Sequence, residues 1–131
     1  MTPEAHIFRE RQDAFTVLNA TEYVSSFQSG RFGCLWLRHP SGTQLAVMVN
    51  GSYSYPHFFP AGDHPGWQIA PSDDADWETE IDFRADNGEP TPMPLALVIC
   101  TKRVTEVIQN YWQDGEMPNT EQWTSLIEGE P

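Results

Sequence analysis

The stretch that decides the fold is TKRVTEVIQNYWQDGEMPNTEQW, residues 101–123. Its first half places five large apolar side chains at the spacing of a single helical face. They are Val104, Val107, Ile108, Tyr111 and Trp112. Gly115 can adopt the left-handed conformation that ends a helix, and Pro118 stops the helix from resuming. We therefore predict an amphipathic helix that begins and is capped at Thr101, followed by a turn and by Trp123, whose ring packs back against the helix.

The residues before this helix predict the sheet that its apolar face needs. Three β-rich runs, Phe32–Arg38, Thr43–Asn50 and Ser52–Phe59, alternate with a period of two, and Asn50-Gly51 is a strong hairpin signal. Further strands are predicted at Trp67–Ala70, Trp77–Arg84 and Leu95–Ile99.

A second, shorter helix is predicted upstream of these strands. Asn19 with Glu22 resembles a capping box, the next apolar residues share one helical face, and Gly30 ends the helix. Phe15–Leu18 is predicted as a short strand. The fold class is thus α+β: an antiparallel, meandering sheet of about five or six strands with two helices packed on one face. We expect one domain over residues 1–131, with flexible ends at residues 1–12 and 126–131.

Composition restricts the partners. The chain carries 19 acidic and seven basic residues, a formal net charge of −12, which disfavours nucleic acid and anionic membranes and favours a basic partner. Because the N-terminus lacks a signal-peptide pattern and the apolar run Met93–Cys100 is too short to cross a bilayer, we expect a cytoplasmic protein. Cys34 and Cys100, both with apolar neighbours, are interpreted as buried free thiols, and a disulfide stays open.

The charge is concentrated. Eight of the 19 acidic residues lie within residues 73–89, and in the predicted strand Trp77–Arg84 the acidic side chains point away from the apolar ones. Six of them are candidate partner-binding residues: Asp73, Asp74, Asp76, Glu78, Glu80 and Asp82. A solvated face kept for solubility is the alternative. Clustering like charges costs self-repulsion, however, and a surface that meets a basic patch accounts for it.

No pattern typical of a catalytic, cofactor or metal site is found. His57, Asp63 and His64 match no metal-ligand spacing, and the chain has no glycine-rich phosphate loop, nucleophile elbow or Cys-x-x-Cys motif. We therefore expect a protein that is not an enzyme and that uses no cofactor and no metal.

Two stretches together resemble the immunity protein 1 family of bacterial polymorphic-toxin systems. The first is YPHFFPAGDHPGW, residues 55–67, and the second is YWQDGEMP, residues 111–118, followed by Trp123. Family members are similar in ending with an aromatic residue, a Gly-x-x-Pro turn and a tryptophan. The resemblance covers about residues 13–125 in the order of the elements, with Asp114 where a threonine is more usual.

The resemblance implies a cytoplasmic protein that binds and neutralises the toxin domain of a secreted or contact-delivered effector. The expected toxin is a nucleic-acid deaminase, with a nuclease as the alternative, and its basic substrate groove would be occluded by the acidic residues. Trp67 or Trp77 would supply an anchor, and the rigid loop Ala61–Gly66 would present Asp63 and His64. Two other classes of function stay open. One is an acidic binding module or secretion adaptor unrelated to toxins, and the other is a small-ligand binder or enzyme.

Overall fold

Three central strands are the part of the molecule that the sequence predicted most closely. The computed structural model describes residues 2–127 and 129. In it, β3 (Phe32–Arg38), β4 (Gln44–Asn50) and β5 (Tyr53–Phe59) pair antiparallel along their whole length. Gly51 adopts a positive φ of 57° in the turn between β4 and β5, as the Asn-Gly signal predicts.

The sheet extends beyond these strands on both sides. The added strands are β1 (Glu4–Ile7), β2 (Glu10–Gln12), β6 (Trp67–Ile69), β9 (Ile99–Cys100) and β10 (Trp123–Ser125). The strand order of the sheet is β10-β6-β5-β4-β3-β1-β2, and β9 pairs separately with β5. The antiparallel α+β class is therefore confirmed, with eight strands in the main sheet rather than five or six.

The two ends of the chain were assigned no element from the sequence. Residues 4–12 form the edge hairpin β1–β2 instead of a flexible end, because β1 pairs antiparallel with the edge of β3 that β4 leaves unpaired. At the other end, β10 pairs with β6, and the N–H of Leu126 donates to the carbonyl of Gly66 at 2.9 Å. The flexible end predicted at residues 126–131 falls partly on residues 128, 130 and 131, which lie outside the described residues.

Both helices pack on the same face of the sheet, as predicted. They are α1 (Val17–Ser25) and α2 (Thr101–Asp114). Apolar side chains of both helices and of β3 and β4 share one buried cluster, with Val104, Val107, Ile108 and Tyr111 completely buried. Gly115 ends α2 at a φ of 72°.

The helix starts differ from the predictions. The strand predicted at Phe15–Leu18 is wrong, because Thr16 caps α1 and forms a capping box with Asn19. The cap of α2 is Cys100 rather than Thr101. The buried Thr101 hydroxyl donates instead to the carbonyl of Gly51 at 3.0 Å, and this bond ties the start of α2 to the β4–β5 turn.

Residues 76–98 cover part of the opposite face of the sheet. Within them β7 (Glu80–Ile81) and β8 (Met93–Pro94) form a separate two-stranded sheet, followed by a 3-10 turn at Leu95–Leu97. The predicted strand Trp77–Arg84 is therefore too long. This layer inserts Phe83 and Leu97 against side chains of β3–β5 to form a second buried cluster, which we call the second core.

The two cysteines have different environments. Both are free; Cys34 is buried in the second core, as predicted, whereas Cys100 is exposed beside the start of α2, so its predicted burial is wrong. No helix among the described residues is long and apolar enough to cross a membrane.

Candidate partner-binding surface

The six acidic residues predicted to bind a partner lie on one exposed stretch, residues 73–82, which we call the acidic segment. Asp73, Asp74, Asp76, Glu78, Glu80 and Asp82 are all exposed. The segment contains no basic residue. Within residues 2–127 and 129 none of the six carboxylates forms an ion pair, so their charge is open to a basic partner.

The backbone of the acidic segment is fixed to the layer beneath it. The Asp76 carbonyl accepts a hydrogen bond from the N–H of Ala96 at 2.8 Å, and the Thr79 carbonyl accepts one from the N–H of Leu95 at 2.8 Å. The Asp76 carboxylate also accepts from the N–H groups of Glu78 and Thr79, both at 2.9 Å. Hydrogen bonds from Thr79 and then from Glu78 lower the pKa of Asp76, so this carboxyl stays charged at neutral pH.

Trp77 lies in the middle of the acidic segment and is 54% exposed. The predicted alternation placed it on the apolar side of a strand with Ile81 and Phe83. Only the latter part of that pattern holds, with Phe83 1% exposed in the second core. The hydrogen bonds from Glu78 and Thr79 to the Asp76 carboxylate form a turn at residues 76–79. This turn replaces the strand in which side chains would alternate between two faces, and it leaves the Trp77 ring largely exposed to solvent.

Trp67 is a different kind of residue from Trp77. It is half-buried on β6 and packs against the helix-side core. The His64 ring stacks on it at a centroid distance of 6.3 Å, and the His64 Nδ1 accepts a hydrogen bond from the N–H of Gly66 at 2.8 Å. Because Trp67 is partly buried, its main role is packing against the core. The exposed Trp77 is therefore the better candidate for the aromatic anchor of a partner.

The loop at residues 61–66 is held against β5. The carbonyl of Pro65 lies 2.8 Å from the His57 Nε2, and Gly66, at a φ of 106°, leaves no space for a side chain beside the His57 ring. Asp63 is exposed on this loop. These contacts join the loop to β5, and none of them joins it to the acidic segment. Asp63 and His64 thus lie on a loop anchored to β5, whereas the acidic segment is anchored to Leu95 and Ala96.

A pocket that the sequence did not predict lies on the sheet face opposite the helices, beside the second core. Its volume is about 120 Å³. Cys34, Met48 and Ala46 are among its lining residues, because these positions neighbour one another across β3 and β4. Ala46 has Trp36 and His57 as its direct neighbours on the two flanking strands, and its small side chain leaves the space between them.

Aromatic rings form the walls of this pocket. The Phe59 ring stacks on Trp36 at 5.4 Å and on His57 at 4.4 Å between centroids. Asp86, from the turn between β7 and β8, lines the pocket on the other side. The lining residues come from four separate segments of the chain, so the sequence alone does not show that they meet.

Two polar side chains of the pocket, Tyr55 and His57, lie within hydrogen-bonding distance of each other. The Tyr55 hydroxyl lies 3.1 Å from the His57 Nδ1 and 3.0 Å from the Gln68 Oε1. Burial lowers the pKa of His57 and raises the pKa values of Tyr55 and Cys34, each to about 12. At neutral pH all three are therefore uncharged, and Cys34 is a thiol rather than a nucleophilic thiolate.

Two observations bear on the other classes of function. The aromatic pocket, at about 120 Å³, is smaller than the roughly 300–1,000 Å³ of typical small-ligand sites. Larger depressions of about 500 Å³ and about 580 Å³ lie at residues 26–32 and 2–16. In the part of the chain that the structure describes, no three His, Cys, Asp or Glu side chains are grouped so that they could hold a metal ion.

The second of the two motif stretches has a structural role. The Gly115 carbonyl accepts a hydrogen bond from the Thr43 hydroxyl, and the Trp123 indole N–H donates to the Pro118 carbonyl at 2.7 Å. These bonds direct the chain from the end of α2 to the sheet edge as β10. The motif therefore helps to build the fold.

No family model matches this chain, and a comparison with curated proteins gives no match either.

Proposed function

We propose that this protein is a cytoplasmic immunity protein that binds a cognate bacterial toxin domain and blocks its active site. The observation that carries the proposal is the acidic segment, where the exposed Trp77 lies among six carboxylates on an anchored backbone. A large aromatic ring surrounded by charge is the composition typical of a binding hot spot with a charged rim.

The basic partner that fits this surface is a groove that binds nucleic acid. Such grooves carry Lys and Arg side chains that neutralise phosphates, and carboxylates spaced along an exposed segment can occupy the same positions. The expected toxin is a deaminase acting on nucleic acid, which must admit a base through a narrow opening beside such a groove. Covering that opening inhibits the enzyme without contact with its zinc ion.

The test of this proposal is co-expression with the toxin encoded beside the gene for this protein. We expect the protein to rescue growth, and the purified protein to inhibit conversion of cytosine to uracil by that toxin. A nuclease assay run in parallel separates the two toxin chemistries. Inhibition of a nuclease alone would refute the deaminase assignment, and failure to bind or to rescue would refute the immunity function.

A charge-reversal variant locates the interface. The combined substitutions Glu78→Lys, Glu80→Lys and Asp82→Lys should slow association at low salt by about tenfold or more, because charges at the rim chiefly steer encounter. The fold should survive because all three side chains are exposed. A matched triple reversal at exposed positions outside the segment, Asp13→Lys, Glu22→Lys and Glu106→Lys, controls for net charge. Equal slowing in both variants would place the interface elsewhere.

A further inference from the structure

We propose that the aromatic pocket, on the sheet face opposite the helices, binds an arginine side chain of the toxin, with the guanidinium at Asp86. The inference rests on the proposed function and names a second contact for it. The pocket's volume is about 120 Å³, and an apolar cavity of about 150 Å³ holds one benzene molecule. The pocket is therefore the size of one side chain and too small for a nucleotide.

The walls and the rim of the pocket together select the kind of side chain. The Trp36 ring, one face of which stacks on Phe59, offers aromatic surface to a planar cation, and the apolar lining residues offer contact to its methylene stem. Asp86 is the carboxylate among the lining residues. A guanidinium can form paired hydrogen bonds to a carboxylate while it stacks on a ring, which a lysine ammonium cannot do.

The protein's own Arg9 shows that a guanidinium reaches this carboxylate. The Arg9 Nε donates to the Asp86 Oδ2 at 3.0 Å. The side chain of Arg9 is 65% exposed, and it does not line the pocket. Exposed ion pairs of this kind contribute little free energy. A toxin arginine that also fills the pocket can therefore displace Arg9.

The turn that carries Arg9 has a strained backbone. Phe8 and Arg9 have positive φ values of 46° and 70° between the paired residues Ile7 and Glu10. A two-residue hairpin turn with both φ values positive strongly favours Asn-Gly. Here it is held by the packing of Phe8 against the second core and by a hydrogen bond from its N–H to the Cys34 carbonyl at 3.2 Å. These contacts hold the turn in place and keep Arg9 beside Asp86.

The chemistry of the pocket can be measured without the toxin. The probe is N-acetyl-arginine amide, and N-acetyl-norleucine amide is the uncharged control. The NMR signal of the Trp36 indole N–H reports on the pocket wall. We expect saturable shifts with the arginine probe in the millimolar range typical of a single side chain, and much weaker shifts with norleucine. Equal responses to the two probes would overturn the arginine assignment.

Two substitutions with opposite expected effects test the role of Asp86. Asp86→Asn should weaken binding of the arginine probe and of the toxin, the latter by about 10- to 100-fold, as expected for a lost charge-assisted hydrogen bond. Arg9→Gln should tighten both, because it removes the competing guanidinium. Asp13→Asn and Arg31→Gln make the same changes of charge at exposed positions that do not line the pocket, and they should change binding far less.

The outcomes separate this inference from the proposed function. If the parent protein binds the toxin but Asp86→Asn, folded as judged by its melting temperature, binds equally well, the pocket inference is wrong and the immunity function stands. If Arg9→Gln weakens binding, Arg9 is itself a contact and the displacement model is wrong. If the arginine probe binds while the parent protein binds no toxin, the proposed function fails, and with it the toxin as the source of the arginine.

Discussion

Trp77→Ala is the substitution that separates binding from folding most clearly. A free tryptophan side chain exposes roughly 250 Å², so its 54% exposure leaves about 135 Å² available to a partner. At about 25 cal/mol per Å², covering this area contributes about 3 kcal/mol. Because alanine keeps part of that contact, the expected loss is about 2–3 kcal/mol, or about 30- to 150-fold in Kd.

The same substitution should cost less in folding stability. The buried part of the Trp77 ring predicts a loss of about 1–2 kcal/mol, because the unfolded chain already shields some of that area. The assay is titration calorimetry with a catalytically inactive form of the cognate toxin, accompanied by thermal melting of each variant. Leu18→Ala is the control, since Leu18 is 61% exposed on α1, on the helix side of the sheet.

The result that would refute this reasoning is a folded Trp77→Ala variant that binds the toxin as tightly as the parent protein. A similar loss for Leu18→Ala would also refute it, because the helix side would then be part of the interface. If Trp77→Ala changes only the association rate, the ring would act within the rim of the interface and not as its anchor.

Three further predictions concern stability and reactivity. Trp123→Ala should lower the free energy of unfolding by about 2–4 kcal/mol, measured by urea denaturation, because it removes half-buried apolar area and the hydrogen bond to the Pro118 carbonyl. Burial lowers the pKa of His57 below its ordinary value of 6.5. Below about pH 6.5 the His57 side chain therefore binds a proton more readily in the unfolded chain than in the folded protein. The free energy of unfolding should fall as the pH is lowered, by at most about 1.4 kcal/mol per pH unit. His57→Phe should lack this component when the two proteins are melted across the same pH range. Iodoacetamide at pH 8 should modify the exposed Cys100 long before Cys34, whose pKa burial raises to about 12, as peptide mass spectrometry will show.

Each of these has an outcome that contradicts it. A Trp123→Ala variant that keeps its stability but loses toxin binding would move that ring into the interface. Parent and His57→Phe proteins with parallel stability curves would show that His57 does not titrate against folding. Modification of Cys34 at the rate of Cys100 would mean that the second core opens readily in the native protein.

Local sequence patterns determined the elements that carry their own signals. The strands β3, β4 and β5 and the helix α2 were predictable because alternation, helical spacing, Asn50-Gly51 and Gly115 all act over a few residues. The charge of the acidic segment was equally evident, since net charge depends on composition alone. The antiparallel α+β class then follows, because a one-sided helix and an alternating sheet must bury their apolar faces against each other.

Tertiary structure alone decided which residues meet. The hairpin β1–β2 carries only a short apolar alternation, Ala5 and Ile7, and it forms because β1 pairs with β3 and packs these two side chains on the core. The exposure of Trp77 depends on a turn in which the Asp76 carboxylate accepts hydrogen bonds from the N–H groups of Glu78 and Thr79. The pocket exists because strand register sets the small Ala46 between Trp36 and His57. Strand pairing and register are long-range properties, so neighbouring residues in the chain carry little information about them.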